Sequence, residues 1–418
     1  MEKLTLTRSQ ELYAEALQLV PGGIAGIRRP YNFVPGEYPI FLARGAQGHV
    51  WDVDGNEYID LLCAYGPIIL GHREVEVDNA VISQIEQGFC LNLAQEIQNT
   101  LAKTICRLIP CAERVIFVKT GSDATTAAIR AARAHTDRKV ILRCGYHGWH
   151  DWCVEVKGGI PEKLYEDVYE FHYNDTDGLT RLVEEHKHDL AGIIVTPVGH
   201  PLAHPVEDPA PGFLELARDL AHAHQAVLIF DEIRSGFRMS LGGAQKRYGV
   251  TPDLATFGKA MANGYPISAL VGQAEVMQVY EKKAFLSSTF FPNSLEMVAA
   301  IKTIEILERD HVLDILWERG TKLLADLRSI TERSGVPAQI TGNPMMPYIF
   351  FPRDDAGKYK ERRILFHTYA IRAGVFMQPY HHSYIAWRHT DEDYARICQV
   401  FEDGLAFVAR EIPSSSHN

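Results

Sequence analysis

Val115-Ile116-Phe117-Val118-Lys119-Thr120-Gly121-Ser122-Asp123-Ala124 is the stretch on which the reading turns. Four apolar β-formers run into a Gly-Ser turn, and an alanine-rich segment follows with Ala124, Ala127, Ala128, Ala131 and Ala132. That order reads as a buried strand, a tight turn and a helix packed close to a sheet. A helix start carries unpaired N–H groups and the positive end of the helix dipole, which suits a phosphate. Gly121 permits close approach and the Ser122 hydroxyl adds a donor. The alternative is an ordinary helix start with Ser122 or Asp123 as its cap.

Working outward, further apolar runs alternate with helical segments at Val140 to Leu142, Ile193 to Val195 and Ala226 to Phe230. Such alternation predicts an α/β fold whose mainly parallel sheet is covered on both faces. Toward the N-terminus, Thr7 to Val20 reads as one amphipathic helix stopped by Pro21-Gly22-Gly23. Val50, Trp51 and Val53 before Asp54-Gly55, with Tyr58 and Ile59 after, read as a hairpin. Toward the C-terminus a charged helical pattern runs from Leu295 to Ile330, and a mixed α+β segment reaches about Phe407. The division expected is an N-terminal segment, 1–60, belonging to a small domain, a large domain over 61–310, and a C-terminal small domain over 311–418.

The chain has 418 residues, 46% hydrophobic and 23% charged, an ordinary globular composition. A formal charge of −11 gives no general attraction to nucleic acid or an anionic membrane surface. No apolar run approaches the roughly 20 residues of a membrane helix, and the first residues lack the apolar core of a secretory signal. Seven scattered cysteines do not form a disulfide framework. A cytoplasmic protein is the expectation.

Three more segments carry chemistry. Ala226 to Phe230 delivers Asp231 and Glu232 to a strand's carboxyl end, where ligands gather in open α/β sheets. A carboxylate at that depth needs a partner, either an arginine or the protonated ring nitrogen of a cofactor; otherwise it caps the next turn. Lys259 lies in Thr256-Phe257-Gly258-Lys259-Ala260-Met261, among small and apolar neighbours. Burial there favours a neutral amine, which forms a Schiff base with an aldehyde. Tyr146 and His147, with Trp149, His150 and Trp152, supply rings beside Gly145 and Gly148. They form either a wall for a flat heterocycle or core packing. His147 and His150 have no third ligand at a suitable spacing, so no metal is expected. A phosphate cradle, a ring wall, a carboxylate and an amine are together the parts of a pyridoxal-phosphate site.

On these residues the sequence resembles the class III, or ornithine-type, pyridoxal-phosphate aminotransferases of fold type I. Its look is nearest to the aminotransferases similar to glutamate-1-semialdehyde 2,1-aminomutase. The likeness runs from Val20-Pro21-Gly22-Gly23 through Trp51-Asp52-Val53-Asp54-Gly55 and Gly66-Pro67-Ile68-Ile69-Leu70-Gly71-His72 to His389-Thr390. Its most specific part is Asp231-Glu232-Ile233-Arg234-Ser235-Gly236-Phe237-Arg238, then Pro252-Asp253 and Gly258-Lys259. The resemblance implies a large domain with a mostly parallel seven-stranded sheet and a smaller α+β domain from both termini. It implies that Lys259 is the Schiff-base lysine and that Asp231 partners the pyridinium nitrogen. Gly121 and Ser122 would bind the phosphate, Tyr146 and His147 would line the ring, and Ile233 would pack on its other face. Thr289 would reach the phosphate of the other subunit in a homodimer.

The reaction implied is amino transfer between an amine or amino-acid donor and a keto or aldehyde acceptor. The alternative is an isomerase, an aminomutase or epimerase using the same cofactor. Arg28, Tyr31, Trp149 and Arg388 are the candidate substrate residues, the arginines because a guanidinium suits a carboxylate. Four departures from the family pattern stand out: Asp123, Arg73-Glu74, Asn293-Ser294 and the stretch Tyr380-His381-His382-Ser383-Tyr384-Ile385-Ala386-Trp387-Arg388. The last falls where the family shapes its substrate pocket.

Overall fold

A computed structural model describes residues 1–26, 33–199 and 205–413. Helix α1 (Thr7–Leu19) forms where the apolar spacing predicts it, although Leu17 and Leu19 on it are exposed. Strands β1 (Leu42–Ala46), β2 (His49–Asp52) and β3 (Glu57–Asp60) form an antiparallel meander. Val50 pairs with Tyr58 across the expected hairpin. The Asp52 carboxylate ties its turn together, accepting from the Asp54 and Asn56 N–H groups at 3.0 and 2.8 Å and from the Tyr58 hydroxyl at 2.7 Å.

Just after β3, Cys63, Ala64 and Tyr65 have φ of 47°, 52° and 67°. Three consecutive non-glycine residues in the left-handed region are costly and persist only when neighbours enforce them. Asp60 supplies the enforcement, accepting from the Leu62 and Cys63 N–H groups at 2.9 Å each.

Helices α2 (Val75–Gln87) and α3 (Glu96–Leu108) precede β4 (Arg114–Val118), which runs directly into α4 (Gly121–Thr136). Alternation continues through β5 (Val140–Cys144), β6 (Val168–Glu170), α5 (Thr176–His186), β7 (Leu190–Val195) and α6 (Phe213–Ala223). Next come β8 (Val227–Asp231), α7 (Gly243–Tyr248), β9 (Leu254–Phe257) and β10 (Ser268–Gly272). Short helices α8 (Ala274–Met277) and α9 (Val279–Lys282) lead to α10 (Ser294–Arg309) and α11 (Val312–Ser334). The pattern from Leu295 to Ile330 is thus two helices, interrupted at Asp310-His311, where His311 turns left-handed at φ 49°. The chain ends with β11 (Gln339–Asn343), β12 (Met346–Phe350), α12 (Lys358–Arg372), β13 (Val375–Phe376) and α13 (Asp391–Glu411).

Two compact units result. Met1–Glu74, Pro201–Val206 and Asp314–Asn418 form the smaller, and Val75–His200 with Glu207–Leu313 the larger. The larger holds a seven-stranded sheet in the order β4-β10-β9-β8-β7-β5-β6, in which β10 alone runs antiparallel to its neighbours. Strands β5, β7, β8 and β10 are buried throughout, as strands covered on both faces must be. The alanines of α4 let the helix settle close to the sheet, clustering with Ile194, Ile229 and Leu270. Burying each of those larger side chains stabilises the unit by about 2 kcal/mol. In the smaller unit β1-β2-β3-β13 form one sheet and β11-β12 another, with Tyr38, Val50, Tyr58, Ile371 and Phe376 in its core.

Candidate active site

The parallel arrangement puts the carboxyl ends of β4, β5, β8 and β9 on one edge of the larger unit's sheet. Each expected cofactor group of that unit except Thr289 leaves from one of those ends. After β4, Thr120 caps α4: its Oγ1 accepts from the Asp123 N–H at 3.2 Å, and Asp123 Oδ2 accepts from the Thr120 N–H at 2.8 Å. The cap is therefore Thr120, not Ser122 or Asp123 themselves. With the cap at Thr120, the N–H groups of Gly121 and Ser122 have no acceptor among the described residues. Ser122 Oγ accepts from the Trp149 N–H at 3.3 Å, leaving its own proton to donate. Two main-chain donors and a hydroxyl at the positive end of a 16-residue helix fit a phosphate dianion.

The loop after β5 closes against this turn. Gly145 has φ 110°, and a Cβ there would lie 2.3 Å from Thr196 Oγ1. Gly148 has φ 112°, and its Cβ would lie 2.3 Å from Ser122 Oγ. Both positions demand glycine for conformation and for space. Thr125 Oγ1 donates to the His147 carbonyl at 2.7 Å, fastening the loop to α4. Tyr146 is left 38% exposed, while His147 is buried.

At the end of β8 the Asp231 carboxylate is buried and fully engaged. His147 Nδ1 lies 2.8 Å from Oδ2, and the Ile233 N–H and Thr256 Oγ1 donate to Oδ1 at 3.1 Å each. His147 thus serves as the partner of Asp231, a role the sequence did not disclose. Trp152 stacks along the imidazole, ring centroids 6.0 Å apart. Nε2 of His147 is buried with no hydrogen-bond partner. Thr256, on the neighbouring strand β9, was also not foreseen; its position opposite Asp231 follows from register alone.

Lys259 lies two residues beyond β9, half-buried, with φ 44°. A lysine in the left-handed region carries strain of order 1–3 kcal/mol, a feature concentrated at functional sites. Ile233 joins the two turns: an added Cβ would lie 3.0 Å from it at Gly121 and 3.3 Å from it at Gly258, beside the lysine. Gly121, Ser122, His147, Asp231, Ile233 and the Lys259 turn therefore form one connected set. The groups fit pyridoxal phosphate: donors for the phosphate, an apolar and an aromatic side chain for the ring, a carboxylate and an amine.

Other expected residues stand apart. Thr289 is exposed in the segment between α9 and α10, and none of these contacts involves it. Trp149 is 63% exposed. Arg388 is not free to receive a substrate carboxylate. In the smaller unit its Nε and Nη2 donate to Glu74 at 3.0 and 3.1 Å, and its guanidinium lies 4.0 Å from the Trp387 ring. Glu74, itself one of the departures from the family pattern, explains that commitment. Arg28 and Tyr31 lie outside the described residues.

This fold and this set of groups are those of a pyridoxal-phosphate transferase, and the family profile of the class III aminotransferases matches residues 33–405. The chain belongs to that family: it is a pyridoxal-phosphate-dependent aminotransferase. It is 64% identical to the 3-aminobutyryl-CoA aminotransferase of Cloacimonas acidaminovorans over 98% of this chain and 99% of the relative. Identity to glutamate-1-semialdehyde 2,1-aminomutase 1 of Lachnoclostridium phytofermentans is 33%, over 96% of this chain and 100% of that one. Among solved structures, the internal aldimine form of the FumI protein of Sphingopyxis sp. MTA144 superposes with a TM-score of 0.92, at 32% identity, covering 98% of both chains.

Proposed function

We propose that the amino donor is a 3-aminoacyl thioester of coenzyme A, with a keto acid as the partner substrate, and that Lys259 and Asp231 carry the reaction. What supports the donor is the near-complete overlap, at 64% identity, with the 3-aminobutyryl-CoA aminotransferase. The aminomutases stand at about half that identity, so transfer is preferred over isomerisation.

Pyridoxal phosphate supplies the aldehyde that takes up the amine and a ring that draws charge from the adjoining carbon. Lys259 Nζ is the anchoring amine, and its strained backbone after Gly258 fixes where the side chain leaves the strand. Released by the incoming donor, Nζ removes the proton from the amine-bearing carbon as general base and returns it as general acid. Asp231 would face the protonated ring nitrogen, and its three protein donors keep the carboxylate oriented toward it. The Gly121 and Ser122 N–H groups with the Ser122 hydroxyl hold the phosphate, and Tyr146 and Ile233 flank the ring.

The working enzyme is a cytoplasmic homodimer in which Thr289 of the second copy completes the phosphate site. Leu91, Leu93, Phe285 and Phe290 support that assembly, since all are exposed in the larger unit and the segments that bear them are joined. The Ser294 N–H at the end of one segment donates to the Phe89 carbonyl of the other at 3.2 Å.

The test is to mix the yellow holoenzyme with 3-aminobutyryl-CoA and no keto acid. One equivalent of ketone product and loss of the yellow colour are expected, with turnover resuming only when a keto acid is added. Continued turnover of the donor alone would establish an isomerase instead.

A further inference from the structure

The start of α12 in the smaller unit carries a net positive charge within this acidic chain. Between residues 353 and 363 stand five basic side chains, Arg353, Lys358, Lys360, Arg362 and Arg363, against three acids. Asp354 is engaged by Arg362 at 2.7 Å and by the Lys358 N–H at 2.8 Å; Asp355 and Glu361 are exposed and form no ion pair among the described residues. Arg362 is thereby neutralised, but Arg363 is not. Among the described residues it has no carboxylate partner. Its guanidinium lies 4.0 Å from the Tyr380 ring and 5.9 Å from the Tyr359 ring, and Nη2 donates to the Tyr380 hydroxyl at 2.5 Å. Nε is buried without a hydrogen-bond partner among the described residues. Tyr380 is 43% exposed and Lys358, Lys360 and Arg353 are exposed.

Two residues before Tyr380, Gln378 is 1% exposed, and neither its amide oxygen nor its nitrogen has a hydrogen-bond partner among the described residues. A buried amide in that state awaits a polar group from a ligand or water. Beside it, His381 donates from Nδ1 to the His382 carbonyl, 2.9 Å away, when that nitrogen bears the proton, which makes Nε2 an acceptor. The turn 378–381 thus offers hydrogen-bonding groups, and Arg363 adds a cation next to tyrosine faces.

We infer that this part of the smaller unit binds the nucleotide handle of a coenzyme A thioester. Arg363, Lys358, Lys360 and Arg353 take the phosphates, Tyr380 and Tyr359 offer faces to the adenine, and Gln378 meets an amide of the pantetheine arm. The inference rests on the thioester reading above. It assigns residues to the part of the donor that does not react. Binding energy from such a remote part lowers the barrier only when handle and reacting end are joined in one molecule. Free carboxylates gain nothing from it, in keeping with the commitment of Arg388 to Glu74.

Two measurements on the full-length holoenzyme test it. Calorimetric titration with adenosine 3′,5′-diphosphate should show saturable binding to the wild type, weakened about tenfold or more by Arg363→Ala and by the exposed change Lys360→Glu. Separately, the ratio of kcat/KM for 3-aminobutyryl-CoA to that for the N-acetylcysteamine thioester should fall about tenfold or more in each variant, chiefly through KM. Absence of diphosphate binding to the wild type, or equal binding by wild type and both variants, overturns the handle site. If the wild type aminates from free 3-aminobutyrate and from neither thioester, the donor reading falls instead, and the diphosphate titration still decides the site.

Discussion

The strand-end cluster of the larger unit and the turn around Gln378 in the smaller one are both buried and polar, but their hydrogen bonds are distributed oppositely. Asp231 has a donor on each oxygen, and the residues that supply them come from three different strand ends. Gln378 has no partner on either amide atom, and His367 nearby in sequence leaves Nε2 buried and unpaired. A carboxylate held at both oxygens is set before any substrate arrives, as charge stabilisation requires. A buried amide with unmet hydrogen-bonding capacity is set for something that brings the missing partners. Under the two proposals above, the chemistry belongs to the larger unit and a nucleotide site to the smaller, and each assignment can be broken by mutation.

The largest effect is expected at Lys259. Lys259→Ala should lower amino transfer by at least about four orders of magnitude, because anchor and proton carrier are lost together. Borohydride reduction followed by peptide mass spectrometry should place the cofactor on Lys259 in the wild type and nowhere in the variant. Residual transfer within tenfold of the wild type would remove the lysine from its proposed role.

Smaller losses should come from the residues that hold Asp231. His147→Phe keeps a flat ring against Trp152 but deletes the donor to Oδ2, and Thr256→Val deletes one donor to Oδ1 while conserving shape. Losing a supporting hydrogen bond of this kind costs about 10- to 100-fold. Both losses should appear in kcat, and His147→Phe should also shift the absorbance maximum of the bound cofactor, since the carboxylate facing the ring nitrogen is less firmly held. A KM effect with an unchanged cofactor spectrum would make His147 a packing residue only.

Those positioning residues also mark how far the sequence could be read. The strand–turn–helix at 115–124, the two carboxylates ending β8 and the lysine after β9 each occupy a dozen residues or fewer, and local pattern fixes them. Thr256 and His147 reach Asp231 through sheet register and a loop, so only the folded chain reveals the pairing. The pattern from Leu295 to Ile330 looked continuous because apolar spacing is insensitive to a single left-handed residue such as His311. Arg388 looked available because its partner, Glu74, lies 314 positions away. Arg363 drew no notice at all, since a cation's isolation is a property of what surrounds it.

The remaining effects concern stability against pH rather than rate, and they run in opposite directions in the two units. In the larger, Glu232 is completely buried, and burial pushes its carboxyl up to about 7 even though Ala244, Gln245 and Ser235 all donate to it. The folded state then holds a proton that the unfolded chain releases near 4.5, so stability is greatest below that pH and declines until about 7, by roughly 3 kcal/mol. In the smaller unit, burial pulls the His367 imidazole down to about 4 from 6.5. There the unfolded chain takes up a proton first, so stability is present above about 6.5 and is lost as pH falls toward 4, also by roughly 3 kcal/mol. Urea unfolding followed separately by cofactor absorbance and by a fluorophore on the smaller unit should resolve the two slopes between pH 4.5 and 7. Glu232→Gln should flatten only the first, and His367→Gln only the second. A single common slope altered equally by either change would mean that the two units unfold as one, and that their division of labour has no counterpart in their stability.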